Sequence, residues 1–142
     1  LISSPGGHVE SGDMIHDVMK FIRPTVRTIG SGWVASAGAL IFVGAEKENR
    51  YCLPNTRFLL HQPSGGAQGM ASDIEIQAKE ILRIRARMNA LYAKYTGQPI
   101  DKIETTMDRD SFFEAEEAKA FGIVDQVYEK RPVPTEDAAA GN

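Results

Sequence analysis

The sequence predicts an α/β protein in which helices and strands alternate along the chain. Apolar side chains recur at helical spacing over residues 11–22. Residues 25–30 alternate like a strand, whereas residues 35–45 are small and apolar throughout, as in a buried helix. Short strands are predicted at residues 50–53 and 57–60, on either side of a proline turn. Alternation of this kind is typical of layered α/β folds.

The beginning of the chain predicts a strand, a turn and a helix. Residues 1–5 resemble the end of a buried strand, and because no Met precedes them we expect the chain to begin inside a longer protein. Pro5-Gly6-Gly7 predicts a sharp turn, in which glycine lets the backbone approach a ligand closely. Ser11 is the predicted N-cap of the following helix, and Pro24 ends it.

One long helix dominates the second half of the sequence. A glycine-rich segment at residues 63–69 leads to Ser72 and Glu75, which have the spacing of a capping box. The apolar stripe that follows ends at Gly97 and Pro99. The other faces of this helix are charged. It therefore either stands out from the domain and packs against a second copy of itself, or lies on its own domain.

The last part of the sequence predicts a small helix, a strand and a tail. Residues 111–120 predict a short acidic helix that Gly122 ends, and residues 123–127 predict a strand. Residues 132–142 lack hydrophobic periodicity and predict a disordered tail. We therefore expect one folded domain over residues 1–131.

The composition narrows the functional classes. The chain has 142 residues, of which 42% are apolar and 25% charged, and this suits one domain with a core. The net charge of −3, without a block of like charges, gives no reason to expect nucleic acid as a partner. No apolar run approaches the ~18 residues of a membrane span. The single cysteine, Cys52, lies in an apolar run and is expected to be a buried structural thiol.

Ser36 is the first candidate for chemistry. It follows a predicted strand and begins a helix of small residues, so its hydroxyl would be exposed at a bend beside free backbone N–H groups. Small neighbours leave room there for a substrate backbone. Val34 stands where the Gly-x-Ser-x-Gly motif has its first glycine, so that hydrolase motif is not present. The alternative is that Ser36 only caps the helix.

His61 and Asp110 are candidates for activating such a serine. A serine hydroxyl becomes nucleophilic when a neutral imidazole accepts its proton and a carboxylate orients that imidazole. His61 follows the apolar strand at residues 57–60, and its alternative role is that of a buried histidine with satisfied hydrogen bonds. Asp108 competes with Asp110 for the carboxylate role, and the local sequence does not separate them. His8, close to the glycine turn, is placed to border a site.

Several short motifs occur in a fixed order along the chain. They are Ser-Pro-Gly-Gly at 4–7, Ala-Ser-Ala-Gly-Ala at 35–39, Arg-Tyr-Cys-Leu-Pro-Asn at 50–55, His-Gln-Pro-x-Gly-Gly at 61–66, Asp-Ile-Glu-Ile at 73–76, Thr-Gly-Gln-Pro-Ile at 96–100 and Asp-Arg-Asp at 108–110. With these motifs the chain resembles the proteolytic subunits of the Clp protease family. The resemblance implies a fold class, the spiral of β-β-α units shared with crotonases, with a protruding strand-helix handle at about residues 62–96.

The resemblance also implies a serine endopeptidase. It makes Ser36 the nucleophile, His61 the general base and acid, and Asp110 the residue that orients His61. It places the oxyanion hole at the backbone N–H groups of Gly7 and Ala37. The backbone contacts that it implies with an extended peptide substrate involve Gly6, Gly7, His8, Val9, Pro63, Ser64 and Gly65. Because pairing with a peptide backbone recognises no side chains, such a site suits many unfolded substrates.

The family's partners are implied in the same way. We expect a ring-shaped homo-oligomer of two stacked heptamers, and an AAA+ unfoldase of the Clp type, on a separate chain, that supplies unfolded protein. The bacterial cytoplasm is the expected compartment, with an organellar matrix or stroma as the alternative. Neither a cofactor nor a metal ion is expected, since the histidines lack ligand spacing and no phosphate loop occurs. Nucleic acid and membrane partners are likewise not expected.

The chain departs from the family pattern close to the nucleophile. Trp33 and Val34 stand where relatives usually have smaller or polar residues, Ala37 stands at a position often held by Met, and Ser64 at one often held by Leu. These changes bear on substrate preference more than on the type of reaction. Two alternative functions stay open at this point. One is a catalytically silent ring subunit that partners an active paralogue, and the other is a crotonase-type acyl-CoA enzyme.

Overall fold

The computed structural model describes residues 1–63 and 67–132, within which the chain forms six strands and five helices. The strands are β1 (Ile2–Ser4), β2 (Thr28–Ala35), β3 (Arg50–Cys52), β4 (Arg57–Leu60), β5 (Ser111–Glu114) and β6 (Gln126–Val127). The helices are α1 (Val9–Phe21), α2 (Ala37–Phe42), α3 (Ala71–Thr96), α4 (Ile100–Asp108) and α5 (Ala115–Phe121). Helices and strands alternate over most of the chain, which confirms the predicted α/β class.

The strands form one mixed sheet in the order β5-β4-β2-β3-β6, and β1 pairs with β2 outside this path. Every pairing is parallel except that of β4 with β5, which is antiparallel. Strand β2 pairs with two strands. Its first three residues pair with β3, and its last three, Trp33–Ala35, pair with β4. The carboxyl ends of β2 and β4 therefore lie side by side.

The core lies between one face of the sheet and the helices. It is built from side chains of β2, β4, α2, α3, α4 and α5, among them Val34, Phe42, Phe58, Leu60, Tyr92, Ile103, Met107, Ala118 and Ile123. The rings of Phe42 and Phe58 meet edge to face with their centroids 5.1 Å apart. Burial of such apolar side chains is the main stabilising contribution to this arrangement.

Two buried polar side chains, His16 and Arg50, connect elements around this core, and the thiol of Cys52 is buried within it. His16 on α1 contacts the Leu40 carbonyl through Nδ1 at 2.9 Å and the Tyr95 hydroxyl through Nε2 at 3.1 Å, so it joins α1, α2 and α3. Arg50 is 2% exposed and donates to the carbonyl of Tyr95. Cys52 is fully buried, and desolvation raises the pKa of its thiol to about 11. The predicted structural role of Cys52 is thus confirmed.

Two predicted helix starts are wrong. Helix α1 begins at Val9 after the N-cap His8, and the Ser11 hydroxyl contacts the ring of His8 at 3.0 Å instead of capping the helix. Helix α3 begins at Ala71 with Met70 as its N-cap and has no side-chain cap, so the predicted capping box at Ser72 does not form. The predicted end of α3 agrees with the structure, since the helix ends at Gly97, which has the left-handed conformation.

Two other differences concern strands, and a third concerns a helix. The strand predicted at residues 25–30 begins later and extends to Ala35. The acidic helix predicted from residue 111 is a strand over Ser111–Glu114, and the helix follows only at Ala115–Phe121. The consecutive aromatic residues at 112 and 113 favour a strand. Strand β5 pairs with β4 along its whole length. Helix α4 was not predicted from the sequence.

Helix α3 stands out from the domain along its first part. Residues 71–80 are all exposed, whereas the buried residues of α3 are Met88, Asn89 and Tyr92 near its end. The alternative of a helix that lies wholly on its own domain is therefore wrong. The predicted tail at residues 132–142 lies, apart from Pro132, outside the described residues. None of the helices in the described ranges is both long and apolar enough to cross a membrane.

Candidate active site

Ser36 lies in a strained turn between β2 and α2. Its backbone has φ 54° and ψ −120°, a conformation that residues with a side chain rarely adopt. Such a residue costs roughly 1–3 kcal/mol, which the surrounding contacts must offset. The Ser36 N–H donates to the Leu59 carbonyl at 3.0 Å, and the Ser36 carbonyl accepts from Leu40 at 3.1 Å. Ser36 occupies the N-cap position of α2, but its side chain makes no capping hydrogen bond.

The glycine turn after β1 packs directly against this serine. A Cβ atom at Gly6 would lie 2.6 Å from Ser36 Cβ and 2.7 Å from the Ala35 carbonyl oxygen. Gly6 also has φ +86°, which favours glycine. No residue with a side chain fits here without displacing the Ser36 turn.

Two backbone N–H groups beside Ser36 are available to a ligand. Within the described residues, neither Gly7 nor Ala37 donates its N–H to another group of the chain. Ala37 is the first residue of α2, where helical N–H groups have no partner within the helix. A Cβ atom at Gly6 would lie 3.0 Å from the Ala37 nitrogen. The glycine turn and the start of α2 thus border the same small space.

The sheet register brings His61 and Asp110 together. Leu60 pairs with Ser111 across β4 and β5, so the residues just beyond that pair, His61 and Asp110, face each other. His61 Nδ1 lies 3.3 Å from Asp110 Oδ1, and the two side chains are 26% and 62% exposed. His61 is therefore accessible from solvent, which makes the alternative of a fully buried histidine wrong.

Ser36 and His61 lie at the adjacent ends of β2 and β4. Ala35 pairs with Leu59 in the parallel ladder, so Ser36 is one residue beyond this pair and His61 two residues beyond it. Among the residues that the structure describes, no hydrogen bond joins the Ser36 hydroxyl to the His61 ring. The histidine nitrogen that faces away from Asp110 is Nε2, and it is the nitrogen left for the serine.

Asp108, the competitor of Asp110, has a different partner. Its Oδ1 accepts from Arg85 Nη2 of α3 at 3.0 Å. Its carbonyl accepts from the Gln62 side chain at 2.9 Å, and the Gln62 N–H donates to the Met107 carbonyl at 2.6 Å. Sequence reasoning did not identify Gln62 or Arg85. The only signal for Arg85 is that it interrupts the apolar stripe of α3.

A cleft of about 760 Å³ opens at this edge of the sheet. Its lining residues are His61, Gln62, Pro63, Ile81, Asp108, Arg109 and Asp110. Of the other residues proposed to contact substrate, Ser64 and Gly65 lie outside the described residues. Val9 is the first residue of α1 and is therefore helical. The backbone proposed to pair with substrate after β1 is thus limited to Gly6, Gly7 and His8.

His8 and Trp33 lie beside this region. The His8 ring contacts Ser11 Oγ at 3.0 Å and Glu10 Oε2 at 3.2 Å, and the side chain is exposed. Trp33 stacks on Phe112 with 6.0 Å between ring centroids, and the Arg57 guanidinium lies 5.1 Å from the Trp33 ring. Trp33 therefore packs across β2, β4 and β5 and does not line the cleft. No group of three or more acidic, histidine or cysteine side chains within the described residues is arranged to hold a metal ion.

Comparisons with known proteins support a family assignment. Residues 1–131 match the Clp protease family. The chain is 65% identical over 127 residues to ATP-dependent Clp protease proteolytic subunit 3 of Rhizobium meliloti, covering 89% of this chain and 65% of the relative. It is 59% identical over 127 residues to proteolytic subunit 2 of Pseudomonas aeruginosa, covering 89% of this chain and 63% of that relative.

A solved structure has the same fold. The ClpP1 N165D mutant from Listeria monocytogenes matches with a TM-score of 0.85 and 54% sequence identity, over 92% of this chain and 72% of that one. This match confirms the fold class and gives no support to the crotonase-type alternative. The chain spans 63–65% of the length of the two curated relatives described above. With almost all of its residues matched, the chain belongs to the Clp protease family.

Proposed function

We propose that this chain is the catalytic part of a Clp-type serine endopeptidase that hydrolyses peptide bonds of unfolded proteins. The observation that carries the proposal is the strained Ser36 turn at the end of β2, beside the His61–Asp110 pair at the end of β4. Strained backbone conformations are concentrated at functional sites. The names of the relatives point to the same activity.

The proposed reaction is acyl transfer. Ser36 Oγ attacks the carbonyl carbon of the scissile peptide, and His61 Nε2 takes the hydroxyl proton. The C–N bond then breaks as His61 returns this proton to the leaving amine. Water, deprotonated by His61, hydrolyses the acyl-enzyme and releases the second product. Catalytic hydrogen bonds often tighten only when substrate is bound, which accommodates the absence of a Ser36–His61 bond here.

Asp110 and the backbone donors have supporting roles in this proposal. Asp110 accepts from His61 Nδ1–H, which keeps Nε2 unprotonated and stabilises the imidazolium that forms. The N–H groups of Gly7 and Ala37 donate to the oxyanion of the tetrahedral intermediate. Removal of one such donor typically costs about 100- to 1000-fold in kcat. Within the part of the chain that the structure describes, neither N–H has a hydrogen-bond acceptor, which supports this assignment.

We infer that the substrate binds as an extended strand. Gly6, Gly7 and His8 on one side and Pro63 with the following residues 64–65 on the other provide backbone groups for pairing. Backbone pairing suits a chain that cleaves many sequences. A mostly polar cleft around His61 and Asp110 agrees with a substrate that is recognised through its main chain.

The proposed assembly is a pair of stacked rings that receives unfolded protein from an AAA+ unfoldase, in the bacterial cytoplasm. Exposed apolar side chains on α1 support contacts between subunits, among them Met14, Val18 and Phe21. The exposed first part of α3, within the proposed handle at residues 62–96, supports contacts between rings. The folded unit is proposed to cover residues 1–131.

The test is covalent labelling of the intact protein with a fluorophosphonate probe, followed by mass spectrometry. We expect one adduct per subunit, on Ser36, and its loss in His61→Ala. Ser36→Ala and His61→Ala should each lower peptide hydrolysis by several orders of magnitude, and the double variant should be little worse, because the residues act as one unit. Ser31→Ala, which removes a half-buried serine of β2, is the matched control and should keep full activity.

A substantial rate of peptide hydrolysis in Ser36→Ala would contradict the proposed nucleophile. An assembled wild-type ring that takes up no probe would instead favour the catalytically silent subunit. The missing Ser36–His61 hydrogen bond is the structural observation that favours this second function.

A further inference from the structure

Helix α3 is joined to the turn that carries Asp110 by one ion pair. Arg85 Nη2 donates to Asp108 Oδ1 at 3.0 Å. The Arg85 side chain is 31% exposed and that of Asp108 54% exposed. Arg109 also approaches Asp108, but its Nε lies 3.9 Å away and its side chain is almost wholly exposed. The short contact to Asp108 is therefore the one from Arg85.

The same turn is bonded to the residue that follows His61. Gln62 donates its N–H to the Met107 carbonyl and its side-chain amide to the Asp108 carbonyl. The end of α4 is thus held by α3 on one side and by the segment after β4 on the other. Arg85, Asp108 and Gln62 form what we call the brace.

Asp110 lies between this brace and strand β5, and its own side chain is held weakly. Its contact to His61 is 3.3 Å long, and its side chain is 62% exposed. Ser111, the next residue, is fixed by the ladder between β4 and β5 and by its own hydroxyl bond to the Thr106 carbonyl at 2.8 Å. Only Arg109 and Asp110 lie between Asp108 and this fixed strand. The position of Asp110 therefore depends on how firmly Asp108 is held.

We propose that Arg85 is a positioning residue for the reaction, because through Asp108 it fixes the turn that presents Asp110 to His61. The inference deepens the proposed function and rests on it for the effect on turnover. Arg85 does not contact the reacting atoms. The guanidinium is suited to this task, since its planar fork holds a carboxylate in a defined direction, whereas a lysine would supply only a point charge.

The experiment compares Arg85→Met, Arg85→Lys, Asp108→Asn and the Arg85→Met/Asp108→Asn double variant in the intact protein. We expect Arg85→Met to lower kcat for a peptide substrate by roughly 10- to 100-fold, because small misplacements of catalytic groups cost this much. KM should change less than about twofold, since the proposed substrate contacts are untouched. Arg85→Lys should keep more activity than Arg85→Met. The double variant should be no worse than the worse single variant, as for two partners in one interaction.

A second readout does not depend on turnover. The Nδ1 proton of a histidine bound to a carboxylate gives a separate downfield NMR signal, and the signal of His61 is identified by its loss in His61→Gln. We expect this signal to weaken in Arg85→Met and to persist in Arg85→Lys. The matched control is Arg83→Met on the same helix, because Arg83 is exposed and, among the described residues, pairs with Glu80 one turn away at 2.8 Å. It should leave kcat, KM and the signal unchanged.

The outcomes separate the two proposals. Arg85→Met with wild-type kcat and an unchanged His61 signal would overturn the positioning role, as would an equal loss in Arg83→Met. If the wild-type protein hydrolyses no peptide while the signal is present and responds to Arg85→Met, the proposed function fails and the brace stands. Should Arg85→Met not fold, Asp108→Asn and Arg85→Lys give the same comparison.

Discussion

Gly6 is the residue whose lack of a side chain most directly shapes the site. Substitution to Ala would put a Cβ atom 2.6 Å from Ser36 Cβ at φ +86°, so the Ser36 turn or the glycine turn must move. We expect Gly6→Ala to lower kcat by about 100-fold or more, because both the nucleophile and the Ala37 N–H would shift. The measurement is steady-state peptide hydrolysis by the intact protein.

The control for this prediction is Gly97→Ala at the end of α3. Gly97 also has a positive φ of 75°, but nothing lies within 4 Å of the Cβ that the substitution adds. It should cost about 1–2 kcal/mol of stability through backbone strain and leave the kcat of the folded protein unchanged. Wild-type turnover in Gly6→Ala would show that the Ser36 turn tolerates displacement.

Residues that follow strands were the ones that sequence reasoning located most easily. Ser36 and His61 each come directly after an apolar run, and both lie at strand ends in the structure. The choice between Asp108 and Asp110 could not be made in this way, because both are equally polar and close in sequence. It depends on the antiparallel register of β4 and β5, which sets Asp110 opposite His61 and turns Asp108 towards Arg85.

Arg50 determines how several elements meet at the opposite end of the sheet. It donates to the carbonyls of Tyr95, Gly122 and Ile123, at the ends of α3 and α5, and its Nε lies 3.9 Å from Asp125. Burial lowers the pKa of its guanidinium, and the Asp125 carboxylate opposes this effect. Through these hydrogen bonds Arg50 holds both helix ends.

We expect Arg50→Met to destabilise the protein by about 3 to 5 kcal/mol, because it leaves three carbonyls without their side-chain donor and removes the cation beside the Asp125 carboxylate. Arg23→Met, at an exposed arginine after α1, is the control and should change the free energy of unfolding by less than about 0.5 kcal/mol. Urea denaturation of the variants measures both values. A loss below about 1 kcal/mol in Arg50→Met would show that the helix ends are held by other contacts.

The elements that sequence patterns described least well are those that depend on neighbours. Strand β5 was predicted as part of a helix because its acidic context resembles the helix that follows, and pairing with β4 decides its conformation. Helix α4 begins after Pro99 without a side-chain cap, so the usual signal at its start is missing. By contrast, α3 was predicted in extent because its apolar stripe is long and Gly97 ends it.

At the scale of the whole molecule, exposed apolar side chains on α1 support the proposed assembly. On α1, Phe21 is 87% exposed, and Met14 and Val18 are 61% and 51% exposed. Isolated domains rarely present several large apolar side chains on one helix. We expect Phe21→Ser to weaken assembly of the intact protein by about 10- to 100-fold in the association constant, since burial of a phenylalanine contributes about 1.5–3 kcal/mol.

Sedimentation velocity over a range of protein concentrations measures this shift. Lys130→Ser, at an exposed position after β6, is the control and should leave the assembly intact. Identical assembly in Phe21→Ser and the control would show that this part of α1 faces solvent in the oligomer.

The antiparallel pairing of β5 with β4 has a consequence for the order in which the protein becomes active. Asp110 reaches His61 only after Ser111–Glu114 has docked on Arg57–Leu60, a contact between segments far apart in sequence. Such pairings close late in folding, because the intervening loop must be ordered first. A ribosome-bound chain that ends at Asp110 therefore already carries Ser36, His61 and Asp110 but lacks the strand that sets Asp110 opposite His61. On the proposed function, the triad of a nascent chain is therefore aligned only after Ser111–Glu114 has been synthesised and has docked on β4.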